Sequence, residues 1–215
     1  MKPGVVPDYD TLMPSFCPPY NRALAEFATR AKTASTVFEA GTGTGNIAKA
    51  ILLENPSARY TGVDVDEKSL DVARKKLAGY NSEMSVGDFK TVPIPSSDLI
   101  VSSLSIHHLS HDEQAALLKR IYGLNRRFLH FELIAPEDEE EKQAVTQLLH
   151  DHFRKQGEKF GIPLETILAL EAQSAKHDNP MKLSDHVRIQ RELGVQVDIV
   201  FKEYCFAFYE GRLGH

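Results

Sequence analysis

In "VFEAGTGTGNIA", Val37 to Ala48, an apolar run breaks into three alternating glycines. Residues that want burial give way to positions with almost no side chain, so something must approach the backbone there. Gly41 suits a tight turn, Gly43 the close approach of a ligand, and Gly45 the close packing of a helix on a strand. Glu39 stands just ahead of the glycines. Asp64 ends a second apolar run about twenty residues later, the distance at which an acid meets ribose hydroxyls.

The loop reads G-T-G-T-G and lacks the G-x-G-x-x-G spacing of a pyrophosphate site. An acid at Glu39 repels a pyrophosphate and suits an ammonium group. A ligand with ribose, adenine and a cationic amino-acid tail meets all these demands, and S-adenosylmethionine is such a ligand. His107 and His108 are the second group able to do chemistry. They follow "SDLIVSSLS" at what becomes the ligand edge of a sheet, where either can serve as a general base. "HHLSH" also sets His107 and His111 at ligand-like spacing. "HDH", His150 to His152, adds nitrogens, with Glu132 or Asp151 as carboxylate partners. Without H-E-x-x-H or a cysteine pair, no metal is expected.

The elements that must position these residues follow from the apolar pattern. Met1 to Pro19 carries five prolines and reads as an irregular arm, followed by a helix from Tyr20 to about Ala31. "STVFEA", "ARYTGVDVD", "EMSVGD", "SDLIVSSLS" and "RRFLHFELI" read as strands. Between them lie helices starting near Gly45, at "EKSLDVARKKLAG" with Gly79 as its stop, and at "HDEQAALLKRIYGL" with Asp112 as its cap. "LSDHVRIQRELG" is a helix capped at Ser184 and closed by Gly194. "VQVDIVFKE" and "YCFAFYEG" are two strands joined so tightly that they must pair antiparallel. The alternation predicts an α/β, Rossmann-like, mostly parallel sheet with helices on both faces. Residues 136–180 interrupt it as a helical insertion over the ligand edge. Residues 1–31 form an N-terminal arm and helix, all within one domain.

With 215 residues, one domain is the natural division. The net charge of -5 and the acids Glu137 to Glu141 oppose a nucleic-acid track, although Lys119, Arg120, Arg126 and Arg127 make a local basic patch. Two cysteines, Cys17 and Cys205, give no disulfide framework. No apolar run reaches the length of a membrane span, and "MKPGVVPDYD" lacks the apolar core of a signal peptide, so a cytoplasmic location is expected.

"VFEAGTGTGNIAKAILLENPSARYTGVDVDEKSLDVARKKL" resembles the first motifs of class I S-adenosylmethionine-dependent methyltransferases. "SVGDF" resembles the next motif, which implies that Asp88 accepts from the adenine amino group and Phe89 flanks the ring. "DLIVSSLSIHHLS" resembles the fourth-strand motif, which implies Ser102 and Ser103 near the methionine end. The resemblance also implies seven strands with the last inserted antiparallel, and a cofactor set that includes Val65 beside Asp64. "YDTLMPSFCPPY", "SSLSIHHL" and "FAFYEG" look closest to a branch related to tRNA wobble-uridine carboxymethyl-transfer enzymes, in which such an arm folds over the cofactor and Tyr9 touches it. "YGLNRRFLHFEL" departs from the family in lacking its usual glycine turn before the fifth strand.

The resulting expectation is methyl transfer from S-adenosylmethionine to a small-molecule acceptor. RNA or tRNA modification, and cofactor binding without turnover, are the alternatives. No membrane partner is expected, and the chain is taken as a monomer or a homodimer. The stripe Val145, Leu148, Leu149, His152 and Phe153 is expected to be core or dimer contact.

Overall fold

The computed structural model describes residues 9–124 and 127–214. Seven strands form one sheet: β1 (Thr36–Ala40), β2 (Arg59–Asp64), β3 (Ser82–Val86), β4 (Leu99–Ser103), β5 (Arg127–Leu133), β6 (Val195–Glu203) and β7 (Phe206–Leu213). Their spatial order is β3-β2-β1-β4-β5-β7-β6. β1 to β5 are parallel, and β7 runs antiparallel between β5 and β6. This is the expected α/β, Rossmann-like sheet with its last strand inserted antiparallel. The chain winds outward from β1 through β3 and then returns to place β4 on β1's other side. That reversal opens a crevice beyond the carboxyl ends of β1 and β4.

The period-2 alternation of the strands sorts their side chains to two cores. Val37, Tyr60, Val101 and Leu129 pack toward α2 (Tyr20–Arg30), α3 (Asn46–Glu54) and α4 (Glu67–Lys76). Phe38, Val63, Ile100 and Phe128 pack on the opposite face, toward α5 (His111–Leu124) and α8 (Leu183–Glu192). Between β5 and α8 lie α6 (Glu139–Phe160) and α7 (Leu164–Ser174), which pack a small core of their own from Leu149, Phe153 and Ile167. Among the described residues no helix is long and apolar enough to cross a membrane.

Several local expectations are corrected. The described part of the arm is a helix, α1 (Tyr9–Phe16), with Pro14 inside it. Proline forfeits one backbone bond there, but tertiary contacts hold the helix. Phe16 packs against Phe153 and Phe160, and Asp10 accepts from Thr44 at 2.6 Å, Asn46 at 2.9 Å and Lys76 at 2.7 Å. Residues 1–8 of the arm, and Arg126 of the basic patch, lie outside the described residues. Ser110, and not Asp112, caps α5: its amide and hydroxyl both donate to Glu113 at 2.9 Å, a capping box. Ser184 does not cap α8. Its amide and hydroxyl donate to Glu137, so one acid of the Glu137–Glu141 run ties the insertion to α8. The apolar stripe of α6 turns inward against Phe16, and only Leu148 of it is exposed, so the stripe is core, the first of the two expected roles.

Candidate functional site

The turn after β1 is built by two close approaches. Gly41 has φ +80°, and a Cβ there would stand 2.1 Å from the Ser105 hydroxyl, so only glycine lets the β4 loop cross the end of β1. Gly45 has φ +79° and would meet Ala73 of α4 at 3.0 Å. The expected helix-on-strand packing is thus corrected to packing against a neighbouring helix. Gly43 faces open space. These turns open a cavity of about 540 Å³ beyond β1, β2 and β4.

The structure brings most of the predicted cofactor residues to this cavity. Tyr9, Glu39, Gly41, Gly43, Asp64, Val65, Asp88, Phe89 and Ser103 all line it. Asp64 holds the loop as well as facing the cavity: it accepts from the Gly43 amide at 2.7 Å and the Asp66 amide at 2.9 Å. Gly45 lies behind the lining, as its packing role requires. Ser102 is the departure. It is fully buried and donates to the Ala40 carbonyl at 2.9 Å, bracing β4 on β1 away from the cavity. Leu104 follows Ser103 in the left-handed region, with φ 48°. A non-glycine residue held there marks a constrained turn, and this one swings Ser105 onto Gly41.

Glu39 is fully buried. One carboxylate oxygen accepts from the Tyr60 hydroxyl at 2.9 Å, and the other has no hydrogen-bond partner. Burial, with a further push from Asp64's charge, raises its carboxyl to about 8 against Tyr60's opposing hydrogen bond. An orphaned acid oxygen beside a cavity is a place for a cation. The site therefore fits S-adenosylmethionine on two counts: an unmet acceptor for an ammonium, and a backbone cradle left open at Gly43.

The histidines sit on the other side of the β4 loop, in a 3-10 turn, Ile106–His108. His108 lines the cavity, and its Nδ1 stands 3.0 Å from Asp178. His107 is buried. Its Nδ1 pairs with Glu132, and its Nε2 faces Asp178 at 3.7 Å. Burial pulls the His107 imidazole down, but Glu132's charge and hydrogen bond, then Asp178, outweigh it and hold the imidazole above its ordinary value. Glu132 accepts also from the amides of Ile106 and Leu133 and from His130. Burial alone would raise the Glu132 carboxyl, yet His107 and His130 keep it well below the usual range. The sequence reading missed Asp178 altogether. It lies 70 residues beyond His108 with no motif around it, and only the fold brings the two together. Tyr20, placed by the sequence where the arm meets its helix but given no role, also lines the cavity, and its hydroxyl accepts from Asn46 at 3.0 Å.

Residues 37–127 match the family model of a methyltransferase domain. These residues thus form a methyltransferase domain, and the cavity at its strand ends fits S-adenosylmethionine. The chain is 37% identical over 102 residues to a malonyl-[acyl-carrier protein] O-methyltransferase of Neorickettsia risticii, covering 47% of this chain and 40% of that one. It is 34% identical over 131 residues to an uncharacterized methyltransferase, YrrT, of Bacillus subtilis, covering 59% and 58%. The chain thus spans about half the length of the curated relatives it matches. Among solved structures it resembles magnesium protoporphyrin IX methyltransferase of Synechocystis PCC 6803 with bound SAH, at TM-score 0.67 and 14% identity, covering 98% and 90% of the two chains. That likeness shows the fold.

Proposed function

We propose that this protein transfers the methyl group of S-adenosylmethionine to a small-molecule acceptor seated at the His107–His108 turn. One observation carries the reading: His108 lines the same cavity as Glu39, Asp64 and Asp88, so a single space joins the cofactor residues to titratable side chains. Methyl transfer from a sulfonium is an in-line displacement with a neutral leaving group. Alignment of donor and acceptor can therefore supply several kcal/mol, and an acceptor that keeps its proton loses it at this turn.

The cofactor would lie with its ribose hydroxyls on Asp64, its adenine between Asp88 and Phe89, and its ammonium toward Glu39. Ser103 and Tyr9 would close the methionine side. The acceptor would enter beneath the end of the insertion, where Asp178 meets the two histidines. Small acceptors are favoured over RNA because two members of the basic patch are spent inside the fold. Arg120 donates to the carbonyls of Phe89 and Val92, and Arg127 donates to Glu210 and to the Arg30 carbonyl. The names of the malonyl-carrier and magnesium protoporphyrin enzymes point the same way, to acceptors other than nucleic acid. A reducing cytoplasm suits the two free cysteines.

The test has two arms. Calorimetry should show S-adenosylmethionine binding that Asp64→Ala weakens about 100-fold, as expected for lost charged hydrogen bonds; unchanged affinity would remove the cofactor placement. Incubation of small-molecule and RNA fractions with labelled donor should label the former. Label confined to RNA would overturn the acceptor class, and full turnover in both His107→Ala and His108→Ala would remove the histidine turn.

A further inference from the structure

We propose that His107, His108 and Asp178 bind a divalent transition-metal cation at the acceptor end of the cofactor cavity. The inference rests on the reading of this turn as the acceptor end. Donor atoms of the three side chains lie within 4.8 Å of one another. One Asp178 oxygen stands 3.0 Å from His108 Nδ1 and 3.7 Å from His107 Nε2. Donors about 2.1 Å from a shared ion stand about 3.0 to 3.5 Å apart in octahedral or tetrahedral geometry, close to the two spacings that Asp178 makes.

Glu132 supplies the second part of the argument. Glu132 pairs with His107 Nδ1, so Nε2 is the nitrogen left facing Asp178. A carboxylate behind the far nitrogen is the arrangement that fixes the tautomer of a metal-binding histidine. Glu132 is itself held by the Ile106 and Leu133 amides at 2.9 Å and 2.8 Å, so the imidazole is backed by a rigid support.

Asp178 is not on a loose end. The Asn179 amide donates to the His107 carbonyl at 2.6 Å, and the Asn179 carbonyl accepts from Gln114 at 2.7 Å. Two imidazoles and one carboxylate on one side of an ion suit a first-row transition metal and leave its remaining positions open. Because His108 lines the cavity, those positions face the space for the acceptor. An ion there would bind an acceptor oxygen and lower its pKa, taking the place of an imidazole base, with the released proton passing to solvent.

The experiment uses untagged, EDTA-treated protein titrated with Co2+, followed by visible d–d absorption and equilibrium dialysis. One Co2+ per chain is expected. Asp178→Ala, Asp178→Asn and His108→Ala should each weaken it by about 100-fold or more, since lost outer partners alone cost 10- to 100-fold. His150→Ala should leave it unchanged. Calorimetry with S-adenosylmethionine on the same samples reports whether each variant is folded. Absence of stoichiometric Co2+, or binding that survives in the folded Asp178 and His108 variants, overturns the site. Co2+ failing while the cofactor binds removes the metal and leaves the methyltransferase reading; the reverse result removes that reading and leaves the metal.

Discussion

Glu39 and Glu132 occupy equivalent places, each the next-to-last residue of a parallel strand, and each is fully buried at the same edge of the sheet. Their surroundings are opposite. Glu39 receives the Tyr60 hydroxyl on one oxygen and nothing on the other, and its carboxyl is pushed up to about 8. Glu132 receives two amides and two imidazoles and is held well below the usual range. A buried acid with unfilled acceptor capacity beside a cavity calls for a cation from outside. A buried acid filled from within is a positioning device. The proposed cofactor end of the site is of the first kind and the proposed acceptor end of the second.

Glu132→Gln should show the larger effect, and on stability. Removing one charge of a buried pair leaves the other uncompensated, at about 3 to 5 kcal/mol. Urea unfolding should show a loss of that size, with cofactor affinity little changed. A loss below about 1 kcal/mol would mean that Glu132 is not holding the turn.

Glu39→Gln should do the reverse. The amide keeps the shape and removes the charge, so S-adenosylmethionine should bind about 10- to 100-fold more weakly by calorimetry, the scale of one charged hydrogen bond. Unaltered affinity would break the contrast between the two acids. The same variant sharpens it through pH. Glu39's folded value of about 8 lies above its usual 4.5. Between those values the folded chain holds a proton that the unfolded chain has released, so this acid's contribution to stability is whole below about 4.5 and is lost as pH rises through 8. Thermal melts should therefore favour Glu39→Gln over the parent increasingly from pH 5 to pH 8, measured against the unchanged difference below that window. A cationic ligand must expel the proton, so binding near pH 7 should release close to one proton, read from calorimetry in buffers of different ionisation enthalpy. The gain in affinity with pH should stop near pH 8, where the ligand's own α-amino group, about 7.7 to 8.0, loses its charge.

The two ends also differed in how far the sequence revealed them. The cofactor end is local: Glu39, the glycine turn and Asp64 are joined by one βαβ unit, and period and spacing place them before any coordinates exist. The sheet was legible for the same reason, since strands alternating with helices allow few windings. The acceptor end joins the β4 loop to Glu132 and to Asp178, and no periodicity links such distant positions. Ser102 misled because its strand motif marks the right place, while the pleat decides which of two neighbouring serines faces the cavity. The proline-rich arm misled because propensity is a weak prior: Phe16 and Asp10 gain more from their contacts than Pro14 loses.

The smallest expected effect lies at that arm. Asp10 ties α1 to Thr44, Asn46 and Lys76, the residues around the start of α3 and the end of α4, and Tyr9 beside it lines the cavity. Nothing in the sheet depends on these bonds. Asp10→Ala should release one side of the cavity and leave both cores intact, so its melting temperature should stay close to the parent's. Its cofactor affinity should fall about three- to tenfold, the worth of one ordinary hydrogen-bonded anchor, with the change carried by faster dissociation. If dissociation is unchanged, α1 covers the cavity without holding the cofactor, and the unfilled acid at Glu39 must retain it without help from the arm.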